Sequence, residues 1–274
     1  MKNIPFTFFG TPEFAVIILD ELKKAGFIPS LIITAPDRPV GRKQVLTPPP
    51  VKVWGEEHNL PVIQVSHPKE AMNELKERGG DLFLVASYGY ILPQEILDIP
   101  KYGVLNVHAS LLPLYRGASP IESAILNGDE VSGVTIMKMI KRMDAGPILT
   151  QSVVPLDEKI TKPELFRELA YEGGKLLAET IEPYLSGEIA EQEQDESRAT
   201  YCKKIQKSDG DITHDDDITR WRKYRAFYGW PGVFFFNEKR KRIKVTKARF
   251  EKGKFIIERI VPEGKKEVDY HPQK

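Results

Sequence analysis

A single cysteine, Cys202, stands in a chain of 274 residues, so no intrachain disulfide can form, and no second Cys or His lies at metal-ligand spacing from it. Neither a disulfide framework nor a metal site is expected. No apolar run approaches the ~18 residues that span a bilayer, which argues against a membrane partner. The opening Met1-Lys-Asn-Ile-Pro-Phe lacks a small-residue cleavage site and reads as a first strand, so a cytoplasmic location is expected. Three chemical signatures are also missing. The loop beginning Gly10-Thr-Pro-Glu has one glycine where a dinucleotide fingerprint needs three, and Pro12 removes an amide that would meet phosphate. There is no glycine-rich phosphate loop ending in Gly-Lys-Ser/Thr, and neither Ser87 nor Ser110 has the flanking glycines of a hydrolase nucleophile.

The composition is that of an ordinary soluble protein, 41% hydrophobic and 29% charged, and the length exceeds the usual ~100–200 residues of one domain. Two domains are expected. The formal net charge of +1 hides an imbalance, because residues 200–274 carry 20 Lys and Arg against 11 Asp and Glu, net +9, leaving −8 for residues 1–199. A basic carboxyl module suits a polyanion, although a solvated strand face is the commoner meaning of a charge run. The window 238–247 alternates basic with apolar residues, which would place its charges on one face of a strand.

Residues 4–9 read as a strand and 12–25 as a helix capped by Thr11. Further strands and helices alternate through residue 108, with strands near 27–34, 81–87 and 102–108 and helices near 51–58 and 68–78, the pattern of a parallel α/β sheet. The Pro- and Gly-rich stretch 35–50 is too long for a plain connector and reads as a mobile functional loop. A strand near 147–154 and a helix over 162–185 follow. The acidic stretch 187–198 reads as a solvated linker. Short β-type segments at 233–236, 243–246 and 255–260 suggest a small barrel. The boundaries read are 1–189 for a catalytic domain, 190–204 for the linker and 205–274 for the basic barrel. Trp230 is expected to pack between barrel and linker.

Chemistry concentrates between residues 106 and 144. On the strand at 102–108, Asn106 and His108 are two apart and share a face. An amide donor, a titratable ring and the carboxylate of Asp144, in Asp144-Ala-Gly146, are what a site needs to hold a developing oxyanion, move a proton and fix the ring. Acyl transfer is the simplest reaction for them. Each has a plainer meaning when taken singly: a lone His is usually core and an Asp before a Gly is usually a turn.

Taken together, the stretches Phe8-Phe-Gly-Thr-Pro-Glu-Phe-Ala-Val16, Pro36-Asp-Arg-Pro-Val-Gly-Arg42, Asn106-Val-His-Ala-Ser-Leu-Leu-Pro-Leu-Tyr-Arg-Gly117, Asp144-Ala-Gly146 and Glu258-Arg-Ile-Val-Pro-Glu-Gly-Lys265 resemble the methionyl-tRNA formyltransferases, within the folate-dependent formyltransferase family. The resemblance spans nearly the whole chain. It implies a Rossmann-like formyltransferase domain with a parallel central sheet, an OB-like carboxyl barrel, and formyl transfer from 10-formyltetrahydrofolate to initiator methionyl-tRNA, with a monomer expected. It implies catalytic roles for Asn106, His108 and Asp144. Folate contacts are implied at Ser110, Leu111, Leu112 and Pro113 and at Tyr88, Gly89, Ile91 and Leu92, some of which would serve simply as core. Arg42 and Lys43 would contact the acceptor stem. The carboxyl module is short for that family, and Gly229 stands where its pattern has proline. Two other readings stay open: a formyltransferase for a small amine such as a sugar nucleotide or glycinamide ribotide, and a non-catalytic RNA-binding protein on the same fold.

Overall fold

The structure is a computed structural model in which residues 4–41 and 43–271 are described. The chain opens with β1 (Phe6–Gly10), α1 (Glu13–Lys24), β2 (Leu31–Thr34), a ribbon of β3 (Arg38–Val40) and β4 (Val45–Thr47), and α2 (Pro50–Glu57). Next come β5 (Val62–Gln64), α3 (Met72–Arg78), β6 (Leu82–Ala86), the single turn α4 (Gln94–Leu97), β7 (Val104–His108) and the two-residue strand β8 (Arg116–Gly117). They are followed by α5 (Pro120–Asn127), β9 (Val131–Lys138), β10 (Ile148–Pro155), α6 (Lys162–Leu185) and the two-residue β11 (Tyr201–Cys202). The chain closes with α7 (Asp217–Ala226), β12 (Val233–Phe236), β13 (Arg242–Glu251), β14 (Lys254–Pro262) and β15 (Val268–Asp269).

The described residues fall into two compact units, one drawn from 1–116, 133–154 and 167–201, the other from 117–132, 155–166 and 202–274. The first is built on a seven-stranded sheet of order β10-β9-β7-β6-β1-β2-β5. Strands β5, β2, β1, β6 and β7 run parallel, and β9 pairs antiparallel with β7, setting Asn106 opposite Met137 and His108 opposite Thr135. Every residue of β1, β6 and β7 is buried, as expected of parallel strands covered on both faces. Helix α1 buries Phe14, Ile17, Ile18 and Leu22, a stripe at helical spacing, with Glu13 in its first turn and Lys23 and Lys24 in its last to complement the helix dipole. Helix α6 lies close on β7, for a Cβ on Gly173 would come within 2.7 Å of the Val107 side chain. Val107 points to that covered side, so Asn106 and His108 project from the opposite face.

Several expectations need correction. Thr11 does not cap α1, since Pro12 takes the cap position and the Thr11 hydroxyl donates to the Tyr88 carbonyl oxygen at 3.1 Å, tying the first loop to the loop after β6. The stretch 35–50 is not irregular throughout; β3 and β4 pair antiparallel, with Val40, Val45 and Leu46 exposed. The acidic stretch is not wholly solvated. Gln192 exchanges backbone hydrogen bonds with Ile148 at 2.8 and 2.9 Å, extending the β10 edge, and Gln194 is buried.

The second unit holds a four-stranded antiparallel sheet of order β12-β13-β14-β15, with α7 against β13 and β14 and α5 against α7. Trp221 on α7 stacks on Tyr224 and Phe250. Trp230 was expected to pack but is 49% exposed. Along β13 exposed Arg242 and Lys244 alternate with half-buried Ile243 and buried Val245, as the charge pattern requires. Among the described residues no helix is long and apolar enough to cross a membrane.

Candidate active site

Strand β7 delivers two polar side chains to its carboxyl end because a strand repeats every second residue. Asn106 is 9% exposed and His108 6%, and among the described residues the Asn106 side chain has no hydrogen-bond partner. An amide held in a largely dry wall with its donor unspent can hydrogen-bond a charge that develops nearby. His108 Nδ1 lies 3.8 Å from Asp144 Oδ2, within ion-pair range and slightly beyond a direct hydrogen bond, while Nε2 lies 3.0 Å from the Tyr115 carbonyl oxygen. Both ring nitrogens thus face acceptors. An imidazolium donates to both, whereas a neutral ring leaves one acceptor facing a bare nitrogen.

The loops carrying these partners are held in costly conformations. Asp144 (φ 48°), Tyr115 (φ 59°) and Ser87 (φ 47°) are non-glycine residues in the left-handed region. Such strain persists only where surroundings fix it, and it clusters at functional sites. Two residues beyond Asp144, a Cβ on Gly146 would stand 1.9 Å from the Lys138 carbonyl oxygen, so no other residue lets the 144–146 turn approach β9 this closely.

Residues 110–113 are fastened from beneath. Ser110 is buried and its hydroxyl donates to the Leu114 carbonyl oxygen at 2.6 Å. The buried Thr135 hydroxyl donates to the Ser110 carbonyl oxygen at 2.7 Å and accepts from the Leu112 amide at 3.0 Å. Gln151 Nε2 donates to the Thr135 hydroxyl and to the Leu112 carbonyl oxygen at 2.8 and 2.9 Å. Nothing in the sequence marks Thr135 or Gln151 beyond their place on apolar strands.

The remaining candidates are placed unevenly. Leu112 packs with Met137 and Ile148, and Tyr88 and Leu92 belong to the core around Phe9 and Phe83. Burial pushes the Tyr88 hydroxyl pKa upward, and among the described residues that hydroxyl has no hydrogen-bond partner. Ile91 is 74% exposed, Gly89 is open to solvent, and Leu111 and Pro113 are half-buried. Lys43 is exposed at the tip between β3 and β4, and Arg42 lies outside the described residues. Arg38, on β3, donates to the Tyr90 hydroxyl at 2.7 Å.

A seven-stranded, mostly parallel sheet with an amide, an imidazole and a carboxylate at one strand end defines a group-transfer enzyme of the α/β class. Residues 2–181 match the sequence profile described as Formyl transferase. The chain is 45% identical over 233 residues to a methionyl-tRNA formyltransferase of Sulfurovum sp., covering 84% of this chain and 75% of that protein. It is 46% identical over 243 residues to that of Campylobacter lari, covering 86% and 77%. Its fold matches the methionyl-tRNA formyltransferase from Clostridium thermocellum (TM-score 0.61, 17% identity, 94% and 98% covered). It also matches an N-formyltransferase from Helicobacter canadensis solved with folinic acid and dTDP-3-aminofucose (TM-score 0.67, 20% identity, 93% and 95% covered). The chain belongs to the formyl transferase family and, within it, to the methionyl-tRNA formyltransferases.

Proposed function

We propose that this protein transfers the formyl group of 10-formyltetrahydrofolate to the α-amino group of initiator methionyl-tRNA. The observation that supports the reading is the approach of His108 to Asp144 at the end of β7, with Asn106 two residues earlier on the same strand face. In this reading the amine attacks the formyl carbon, a bond from carbon to the amine nitrogen forms, and the bond to the folate nitrogen breaks as that nitrogen gains a proton. Asn106 donates its side-chain amide to the oxygen as it becomes an oxyanion. His108 donates to the same oxygen or carries the proton between the nitrogens, and Asp144 orients the ring.

Exposed Ile91, the open backbone at Gly89 and the half-buried Leu111 suit a flat heteroaromatic donor. Leu112, Leu92 and Tyr88 form the wall behind them, and Ser110 and Pro113 shape the shelf. Residues 1–189 hold the chemistry, and 205–274, with their four-stranded sheet read as an OB-like barrel, grip the acceptor. Arg42 and Lys43 add contacts to its phosphates. All three polar groups come from one chain, so a monomer suffices.

The test is to incubate the protein with 10-formyltetrahydrofolate and either charged initiator tRNA or small amines, reading products by mass spectrometry. Formylated methionyl-tRNA is expected. Formylation of an amino sugar nucleotide or glycinamide ribotide with none of methionyl-tRNA would establish the small-acceptor reading instead, and no formylation of any amine would leave only the RNA-binding one.

A further inference from the structure

The acidic stretch that the sequence marks as linker sends one side chain inward, and that side chain reaches the backbone of the active-site loop. Gln194 is 8% exposed and its Nε2 donates to two carbonyl oxygens at once, those of Asp144 at 2.9 Å and Gly146 at 2.7 Å. Its Oε1 accepts from Arg116 Nε at 3.0 Å and from Nη2 at 2.7 Å. Arg116 is fully buried, and its remaining donors go to Glu196 at 2.8 and 3.2 Å and to the Tyr201 hydroxyl at 3.2 Å. Arg142 also pairs with Glu196. The amide of Gln194 is therefore oriented without ambiguity. A guanidinium can only donate, which fixes the oxygen toward Arg116 and both amide hydrogens toward the turn.

The same segment also braces the histidine. The Tyr115 amide donates to the Thr200 hydroxyl at 2.8 Å and the Arg116 amide to the Thr200 carbonyl oxygen at 2.9 Å, while the Tyr115 carbonyl oxygen accepts from or faces His108 Nε2. Residues 192–201 thus hold both supports of the His108–Asp144 pair, one through Thr200 and one through Gln194. Asp144 sits at positive φ, a conformation that needs external restraint, and two hydrogen bonds across its turn supply it.

We infer that Gln194, clamped by Arg116, is a positioning residue for catalysis: it sets the orientation of Asp144 toward His108 and contacts neither substrate. The inference rests on the formyl-transfer reading of Asn106, His108 and Asp144. Arg116, at the start of β8, is the charged group whose side chain bonds Gln194, and it is paired in turn with Glu196, which Arg142 also meets.

The experiment compares Gln194→Glu with Gln194→Ala, using 10-formyltetrahydrofolate and methionyl-tRNA, with folate affinity measured separately. Gln194→Glu keeps the shape and the acceptor for Arg116 but sets a carboxylate oxygen against two carbonyl oxygens. Its kcat should fall about ten- to a hundredfold, the cost of a small misplacement of reacting groups, with folate Kd within twofold. As pH falls, the introduced carboxylic acid regains a proton and with it one donor, so the ratio of variant to unaltered kcat should rise toward acid. Gln194→Ala should lose activity with no such acid recovery. An unchanged kcat in Gln194→Glu, or a loss shared equally by kcat, folate affinity and melting temperature in both variants with no acid recovery, overturns the inference. If the unaltered protein formylates no amine, the formyl-transfer reading has failed instead, and the two failures are told apart.

Discussion

At the residue scale, the Asn106 amide near the end of β7, without a hydrogen-bond partner among the described residues, is the most telling side chain. Its amide is not among the fully enclosed unpartnered groups, so it stays open to a molecule at the strand end, and as an oxyanion donor it would meet charge that develops there. Removing it by Asn106→Ala should lower kcat by about 10²–10³-fold with folate affinity little changed. His108→Ala should abolish transfer while leaving folate Kd within a few-fold, because the ring acts on the reacting centre. Equal losses in kcat and binding would mean these side chains hold the donor instead. That Asn106 and His108 share a face was legible in the sequence, since spacing along one strand fixes it, whereas Asp144 came from its Asp-Ala-Gly motif and the family resemblance. Thr135, Gln151 and Gln194 were not legible, because a hydrogen bond between residues far apart in the chain leaves no trace in local pattern.

At the scale of elements, the segment 110–113, proposed as the donor's shelf, is held by β9 and β10 through Thr135 and Gln151. Thr135→Val keeps the volume of a buried side chain but deletes the hydroxyl that bonds Ser110, Leu112 and Gln151. Leaving such groups unpaired should cost about 1–3 kcal/mol of stability, seen as a lower urea midpoint, and should weaken folate binding more than it slows turnover. Unchanged folate affinity would show that the shelf keeps its shape without the hydroxyl. The ribbon of β3 and β4 shows the converse limit of local reading: proline and glycine announced a break, yet Pro39 pairs with Leu46 and Val40 with Val45 in an antiparallel ladder.

The Arg116 clasp joins Arg116 to Glu196, 80 residues on in the chain, and should be visible in pH dependence. The Arg116 guanidinium beside Glu196, helped by Arg142, holds that carboxyl at about 2, below its ordinary range. A carboxyl whose pKa is depressed on folding adds stability that is present above its unfolded value and is lost as pH falls toward the folded one. The stability gap between the unaltered protein and Glu196→Gln should therefore be open near neutral pH and close between about pH 5 and pH 2. A gap that stays constant over that window would mean that the ion pair contributes nothing. Glu196 is 54% exposed on its side chain, so added salt should narrow the gap as well.

At the scale of the whole molecule, the two units divide the charge. Within the basic unit many cations are already neutralised: Lys247 and Arg249 pair with Glu258, Arg259 with Glu267, Lys254 with Asp217 and Lys223 with Asp215. Among the described residues Lys241 and Lys244 have no carboxylate within ion-pair distance and are exposed. If this face meets the acceptor, Lys241→Ala and Lys244→Ala should each reduce the salt slope of tRNA binding by about 1 while leaving folate affinity untouched. An unaltered slope would place the acceptor elsewhere on the protein.

The sequence by itself determined the α/β alternation, the buried parallel strands, the alternating basic face of β13 and the shared face of Asn106 and His108, because each follows from periods of two or 3.6 residues. Tertiary structure alone decided that Leu92, Tyr88 and Leu112 are core while Ile91 faces solvent, and that Thr11 serves the loop after β6 instead of a helix end. It also decided that a glutamine in an acidic stretch sits inside against Arg116. Burial and long-range hydrogen bonds depend on which surfaces meet when the sheet closes, and that is a property of the assembled chain that no local window contains.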